Sequence, residues 1–210
     1  MNQRRPKRPR RKDGNIITLK DYHEMWFNHD IHLEYRTLYF GSPGSSLDSD
    51  ENEINAAAAE RIIKGLLILE AEDAVKAITF IMNSPGGDCI HAMGIYDAIK
   101  AIKCPVVVKI FGHCMSAAAV ILQAASERLI SPNSSMLLHD GSAEVSGHPR
   151  DIERWSKWMK EDGKRMYEIF SSRTGKSPKY WEKKCERDLI LTAQQALKEG
   201  LVDKIIKNEK

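Results

Sequence analysis

The 210-residue chain carries 32 lysines and arginines, 29 aspartates and glutamates, and 42% hydrophobic residues, the balance of one ordinary globular domain rather than a disordered or fibrous chain. No apolar run approaches the roughly 18 residues of a membrane span. The cysteines Cys89, Cys104, Cys114 and Cys185 form no CxxC pair or metal-ligand spacing, which argues against a disulfide scaffold and points to free thiols in a reducing, cytoplasmic setting.

The net charge of +3 hides a division. Residues 1–12, MNQRRPKRPRRK, hold seven of the bases and no acid, leaving 25 bases against 29 acids, or −4, for the rest. Such a segment offers nothing to pack, so residues 1–13 are expected to be a disordered basic arm and residues 14–210 a single domain. The arm is either a solvated leader or an electrostatic contact with nucleic acid, an anionic membrane surface or an acidic partner. It lacks the apolar core of a secretory signal.

Further along, the pattern alternates in period. EYRTLYF, Glu34 to Phe40, reads as a strand followed by the loop GSPGSSLDSDEN. Apolar residues at helical spacing predict a helix from Ile54 to Glu72. KAITFIMN, Lys76 to Asn83, is a buried strand, His91 to Lys103 a helix, and PVVVKIF, Pro105 to Phe111, another buried strand. An alanine-rich helix then starts at Ser116, SMLLH (Ser135 to His139) is a short strand, and a long amphipathic helix starts near Pro149 with Ile152, Trp155, Met159, Met166, Ile169 and Phe170 near one stripe. Thr192 and Gln195 form a capping box, Gly200 stops that helix, and LVDKII is a last strand. Alternating strands and helices of this length imply βαβ units, an α/β fold with a mostly parallel sheet.

In such sheets ligands bind at the carboxyl ends of the strands. Two loops there stand out, NSPGGD (Asn83 to Asp88) and GHCMS (Gly112 to Ser116), and they should be spatial neighbours. Ser116 opens its helix, so it reads either as a helix cap or as a nucleophile. His113 and Cys114 read as packing and rim residues, and no metal site is expected.

Taken together, FIMNSPGGDCIHAMGIYDAIKAIKCPVVVKIFGHCMSAAA, SPNSSMLLH and CERDLILTAQQALKEGLVDKI resemble the proteolytic subunit of the Clp protease family, from about Glu34 to Ile206. The resemblance rests on four motifs in order: the SPGG turn, G-x-x-x-S, P-N-S with a following histidine, and R-D-x-x-x-T-A-x-x-A. It implies Ser116 as nucleophile, His139 as general base and Asp188, between helices, as the carboxylate orienting the histidine; Asp140, beside His139, is a rival for that last role, but adjacent side chains diverge and Asp188 is preferred. It further implies the amides of Gly87 and Ala117 as an oxyanion hole. The family fold has repeated β-α units related to the crotonase architecture, with the long helix projecting as a handle between stacked seven-membered rings. By resemblance the protein is therefore a serine endopeptidase without cofactor, acting on unfolded protein or peptides in a homo-oligomeric chamber with a separate AAA+ unfoldase ATPase. The chain departs from the family in Met115 before the serine, in HDG after the strand, and in the arm. The alternatives are a crotonase-type acyl-CoA hydratase or isomerase, and an inactive structural subunit of a mixed ring.

Overall fold

The computed structural model describes residues 18–41, 53–141 and 144–207. The basic arm and most of the Gly/Ser/Asp loop after Phe40 lie outside the described residues. Helix α1, Leu19–His29, opens the described chain. Thr18 caps it in a capping box with Asp21, and Asp30 closes it in a left-handed conformation. This helix went unread in the sequence, although its cap follows the T-x-x-D pattern.

Strands β1 (Ile31–His32) and β2 (Thr37–Phe40) pair antiparallel. The strand expected from Glu34 thus begins only at Thr37, because residues 33–36 form a turn in which Arg36 takes φ 47°. That conformation carries the Arg36 guanidinium to the carbonyls of Asp73 and Lys76, at 2.7 and 3.2 Å. After β3 (Glu53–Ile54), helix α2 spans Ala56–Glu72. The Asn55 side chain accepts from Ala58 N at 2.9 Å, so the helix starts two residues later than its apolar spacing suggests.

Strand β4, Ile78–Ser84, buries Ile78, Phe80, Met82 and Ser84 on one face. The two-residue strand β5, Gly86–Gly87, pairs parallel with β3. Helix α3 follows from Cys89 to Ala101, capped by the Asp88 carboxylate on Ile90 N and His91 N. Strand β6 runs from Val106 to Met115, four residues beyond the predicted end, and leads into helix α4, Ala117–Gln123, every residue of which is buried. Strands β7 (Glu127–Ile130) and β8 (Ser135–Leu138) come next, then helices α5 (Pro149–Thr174) and α6 (Pro178–Cys185), strand β9 (Leu189–Thr192), helix α7 (Ala193–Glu199) and strand β10 (Lys204–Ile205). The Thr192–Gln195 capping box and the left-handed Gly200 stop stand as expected.

The main sheet has the order β1-β2-β4-β6-β7-β10, parallel apart from β1, and it forks at β6. The first half of β6 pairs with β7, and its end, His113 to Met115, pairs parallel with β8. Strand β9 extends this branch antiparallel. At the fork the β4 register moves from Met82–Ile110 to Ser84–Cys114, so β6 bulges outward. Gly112 sits there at φ 102°, and a β-carbon on it would lie 2.5 Å from Asn83 Oδ1. The same oxygen accepts from His113 N at 2.8 Å, and Gly112 N donates to Ser134 Oγ at 2.9 Å. Glycine, asparagine and serine thus satisfy the backbone groups that the bulge frees.

One apolar cluster from Ile31 to Val202 fills the layers between helices and sheet. In α5 only the C-terminal half joins it, through Tyr167 and Phe170, with the Phe170 ring 5.6 Å from that of Trp181. The N-terminal half leaves Ile152, Trp155 and Trp158 exposed, the two indoles edge-to-face at 5.6 Å. The stripe read from the sequence is therefore core-facing over only half its length.

Gly94, in the exposed middle of α3, has nothing within 4 Å of where a β-carbon would stand. Gly94→Ala is expected to stabilise the fold by about 0.5–1 kcal/mol, through helix propensity and a less flexible unfolded chain. Thermal unfolding should show a midpoint raised by about 1–4 °C; a lowered midpoint would contradict the open surroundings of that position.

Candidate active site

Ser116 sits between the end of β6 and the start of α4 with φ 52° and ψ −125°. For a residue with a β-carbon this backbone costs on the order of 1–3 kcal/mol. It is held by Ser116 N donating to Leu137 O at 2.7 Å, which continues the β6–β8 ladder, and by Ala119 N donating to Ser116 O at 2.9 Å. Ser116 holds the N-cap position of α4 through its backbone, but its hydroxyl makes no capping hydrogen bond and lies instead 2.7 Å from His139 Nε2.

His139 follows β8 directly, and β8 runs parallel to the end of β6, so serine and histidine both emerge at carboxyl ends of neighbouring strands. Asp188 lies between helix α6 and strand β9, rather than between two helices as expected. The antiparallel β8–β9 register ends at Leu138–Leu189, and one step further sets Asp188 opposite His139. Asp188 Oδ1 is 3.5 Å from His139 Nδ1, longer than a charge-assisted hydrogen bond, with the two side chains 64% and 28% exposed.

The SPGG turn packs directly on this junction. A β-carbon at Gly86, where φ is 108°, would lie 2.7 Å from Ser116 Cβ and 2.8 Å from Met115 O, so only glycine permits the approach. The spatial neighbourhood expected of the two loops is thus present. Gly87 lies beside it in β5, and Ala117 is the first residue of α4, where helix amides lack a carbonyl one turn back. Both line a cavity of about 690 Å³, together with Met93, Met159, Met166 and Tyr167.

The other candidates are engaged elsewhere. Cys114 is fully buried, which pushes its thiol pKa far above the ordinary value and removes it as a nucleophile. His113 turns the other way, its Nδ1 3.0 Å from Ser135 Oγ. His91 is half-buried on α3, and Cys89 is the first residue of that helix. Asp140 accepts a hydrogen bond from the Tyr167 hydroxyl, a contact between residues far apart in the chain that no local pattern announces.

The sequence model of the family described as Clp protease matches residues 50–209. A relative from Rhodopirellula baltica, ATP-dependent Clp protease proteolytic subunit 1, is 38% identical over 84% of this chain and 74% of its own. ATP-dependent Clp protease proteolytic subunit 2 of Treponema denticola is 36% identical over 75% of this chain and 80% of its own. Likeness of that extent, through the turn, the serine junction and the histidine strand described above, means that the chain belongs to the Clp protease family.

Proposed function

We propose that the protein is a serine endopeptidase, the proteolytic component of an ATP-dependent protease, with Ser116 as nucleophile, His139 as general base and Asp188 as the orienting carboxylate. The observation that carries this reading is the 2.7 Å approach of Ser116 Oγ to His139 Nε2 in a chain of this family. His139 Nε2 takes the hydroxyl proton as Oγ bonds to the scissile carbonyl carbon. The carbonyl oxygen then carries negative charge, which the amides of Gly87 and Ala117 stabilise; one such donor is typically worth about 3 kcal/mol. Collapse of the intermediate breaks the C–N bond, and the imidazolium returns its proton to the leaving amine. Water, deprotonated by the same imidazole, then attacks the acyl carbon, the C–Oγ bond breaks, and the imidazolium returns its proton to Ser116 Oγ as the acid product leaves. The chain's own residues supply every proton transfer, and ATP hydrolysis belongs to a separate AAA+ unfoldase.

Residues 14–210 act as one domain, and chains assemble into stacked heptameric rings around a chamber that admits unfolded protein or peptides. The exposed Trp155, Trp158, Ile152 and Ile190 suit surfaces that another copy covers. Among the described residues no helix is long and apolar enough to cross a membrane, and with four free cysteines this favours a cytoplasmic site of action. The concentrated positive charge of the arm, residues 1–13, suits contact with an acidic partner. The crotonase-type and inactive-subunit readings receive no comparable support, since neither requires a serine–histidine contact of this kind.

Ser116→Ala is expected to lower kcat for a fluorogenic peptide by about 10⁶-fold with native mass and assembly unchanged; normal turnover would remove the mechanism. Asp188→Ala should lower kcat by less than the roughly 10⁴-fold seen for buried triad aspartates, because this carboxylate is largely exposed; steady-state kinetics across pH measures it. Deleting residues 1–12 should leave small-peptide hydrolysis at the full-length rate, and a loss in the same assay would assign the arm to the site or to assembly.

A further inference from the structure

The chain leaving β8 has little to stiffen it. Leu138 makes the last strand pairing, His139 is partly exposed, Asp140 and Gly141 are exposed, and Gly141 has a left-handed φ of 82°. Yet the His139 ring stands 2.7 Å from Ser116 Oγ. Its partner Asp188 cannot fix it alone, because that contact is long and the carboxylate is 64% exposed, conditions in which ion pairs contribute little.

Asp140 anchors the segment at two points. Its amide donates to Cys185 O at 3.0 Å, and its carboxylate accepts from the Tyr167 hydroxyl. Both anchors are rigid. Cys185 is fully buried at the end of α6, three residues before Asp188. Tyr167 is 8% exposed, in the half of α5 that joins the core, one turn from the fully buried Phe170. One residue thereby ties the histidine's strand end to the aspartate's loop and to the packed half of α5. Burial, and then the neighbouring Asp140, push the Tyr167 pKa upward, so the phenol stays a proton donor throughout the working range. Asp140 itself does not replace Asp188, since its carboxylate holds the phenol and neighbouring side chains diverge.

We infer that Tyr167 and Asp140 form a latch that positions His139 between Ser116 and Asp188, so that they are positioning residues for peptide hydrolysis in this chain. The inference rests on the Ser116–His139–Asp188 reading above. Displacing a catalytic group by about 1 Å can cost on the order of 100-fold in kcat; Tyr167 and Asp140 also line the adjoining cavity, and a role confined to that lining would read out in KM instead.

The test is a double-mutant cycle on the full-length protein with a fluorogenic peptide. Tyr167→Phe and Asp140→Ala should each lower kcat by about 10- to 100-fold with KM unchanged, and the double variant should be no worse than either single one, because all three lose the same contact. Asp140→Asn, whose amide oxygen still accepts from the phenol, should recover activity relative to Asp140→Ala. Asp140 is exposed and outside the core, so the two Asp140 variants decide the matter even if Tyr167→Phe does not fold. Multiplying losses in the double variant, a change confined to KM, no recovery in Asp140→Asn, or unaltered kcat would each overturn the latch. Fluorophosphonate labelling of the unmodified protein separates the two proposals. Absence of label at Ser116 removes the catalytic reading itself, whereas labelling and full turnover with unaffected variants remove the latch alone.

Discussion

Strand β6 has to satisfy two neighbours that diverge. Its first half lies between β4 and β7 in register, while its end must leave β7 and run alongside β8. A regular strand cannot change partners without orphaning backbone groups, and buried orphans cost about 1–3 kcal/mol each. The bulge at Gly112 resolves this, with Asn83 accepting from His113 N and Ser134 accepting from Gly112 N. Every element of the candidate site is downstream of that exchange. Had β6 stayed with β7, Ser116 N would not meet Leu137 O, and the histidine strand would not lie beside the serine.

Once the fork exists, register places the remaining groups. Parallel pairing of β6 with β8 brings Ser116 and His139 out at the same edge, and antiparallel pairing of β8 with β9 sets Asp188 opposite His139. The glycine at position 86 completes the arrangement by allowing the SPGG turn to rest against the serine's β-carbon. The strained backbone of Ser116 is tolerable because both flanks are fixed, the ladder on one side and the wholly buried α4 on the other. Strain in one residue is thus offset by order in its neighbours.

This hierarchy explains what the sequence could disclose. Helices α2 and α3, the long strands and the cap at Thr192 follow from local periodicity and cap chemistry, and they stand within a few residues of where the pattern sets them. Helix α1 and helix α6 carried readable caps, Thr18 with Asp21 and Ser177 ahead of Pro178, and α1 adds Leu19, Tyr22, Met25 and Trp26 at helical spacing, so local signals for both were present. Strands of two to four residues, such as β1, β3 and β9, are defined by their partners rather than by their own side chains. The same holds for the site. Nothing within thirty residues of Asp188 announces His139, so those residues were nameable only through resemblance to a family. The Tyr167–Asp140 contact was legible in neither way, since it depends on where separate elements dock.

The exposure of the histidine–aspartate pair carries a last consequence. In a single chain, water competes for Asp188 and screens its field, so the ion pair does little to select one imidazole orientation. Orientation therefore falls to the backbone register on one side and to contacts made by buried anchors on the other. Neither depends on local dielectric in the way an ion pair does. Enclosing the site against a neighbouring copy would remove that water and strengthen the same pair at unchanged distance, with the covered apolar surface driving the enclosure. Register and anchors would then hold the imidazole already in the single chain, and enclosure would add the field of the Asp188 carboxylate to an arrangement that is in place before it.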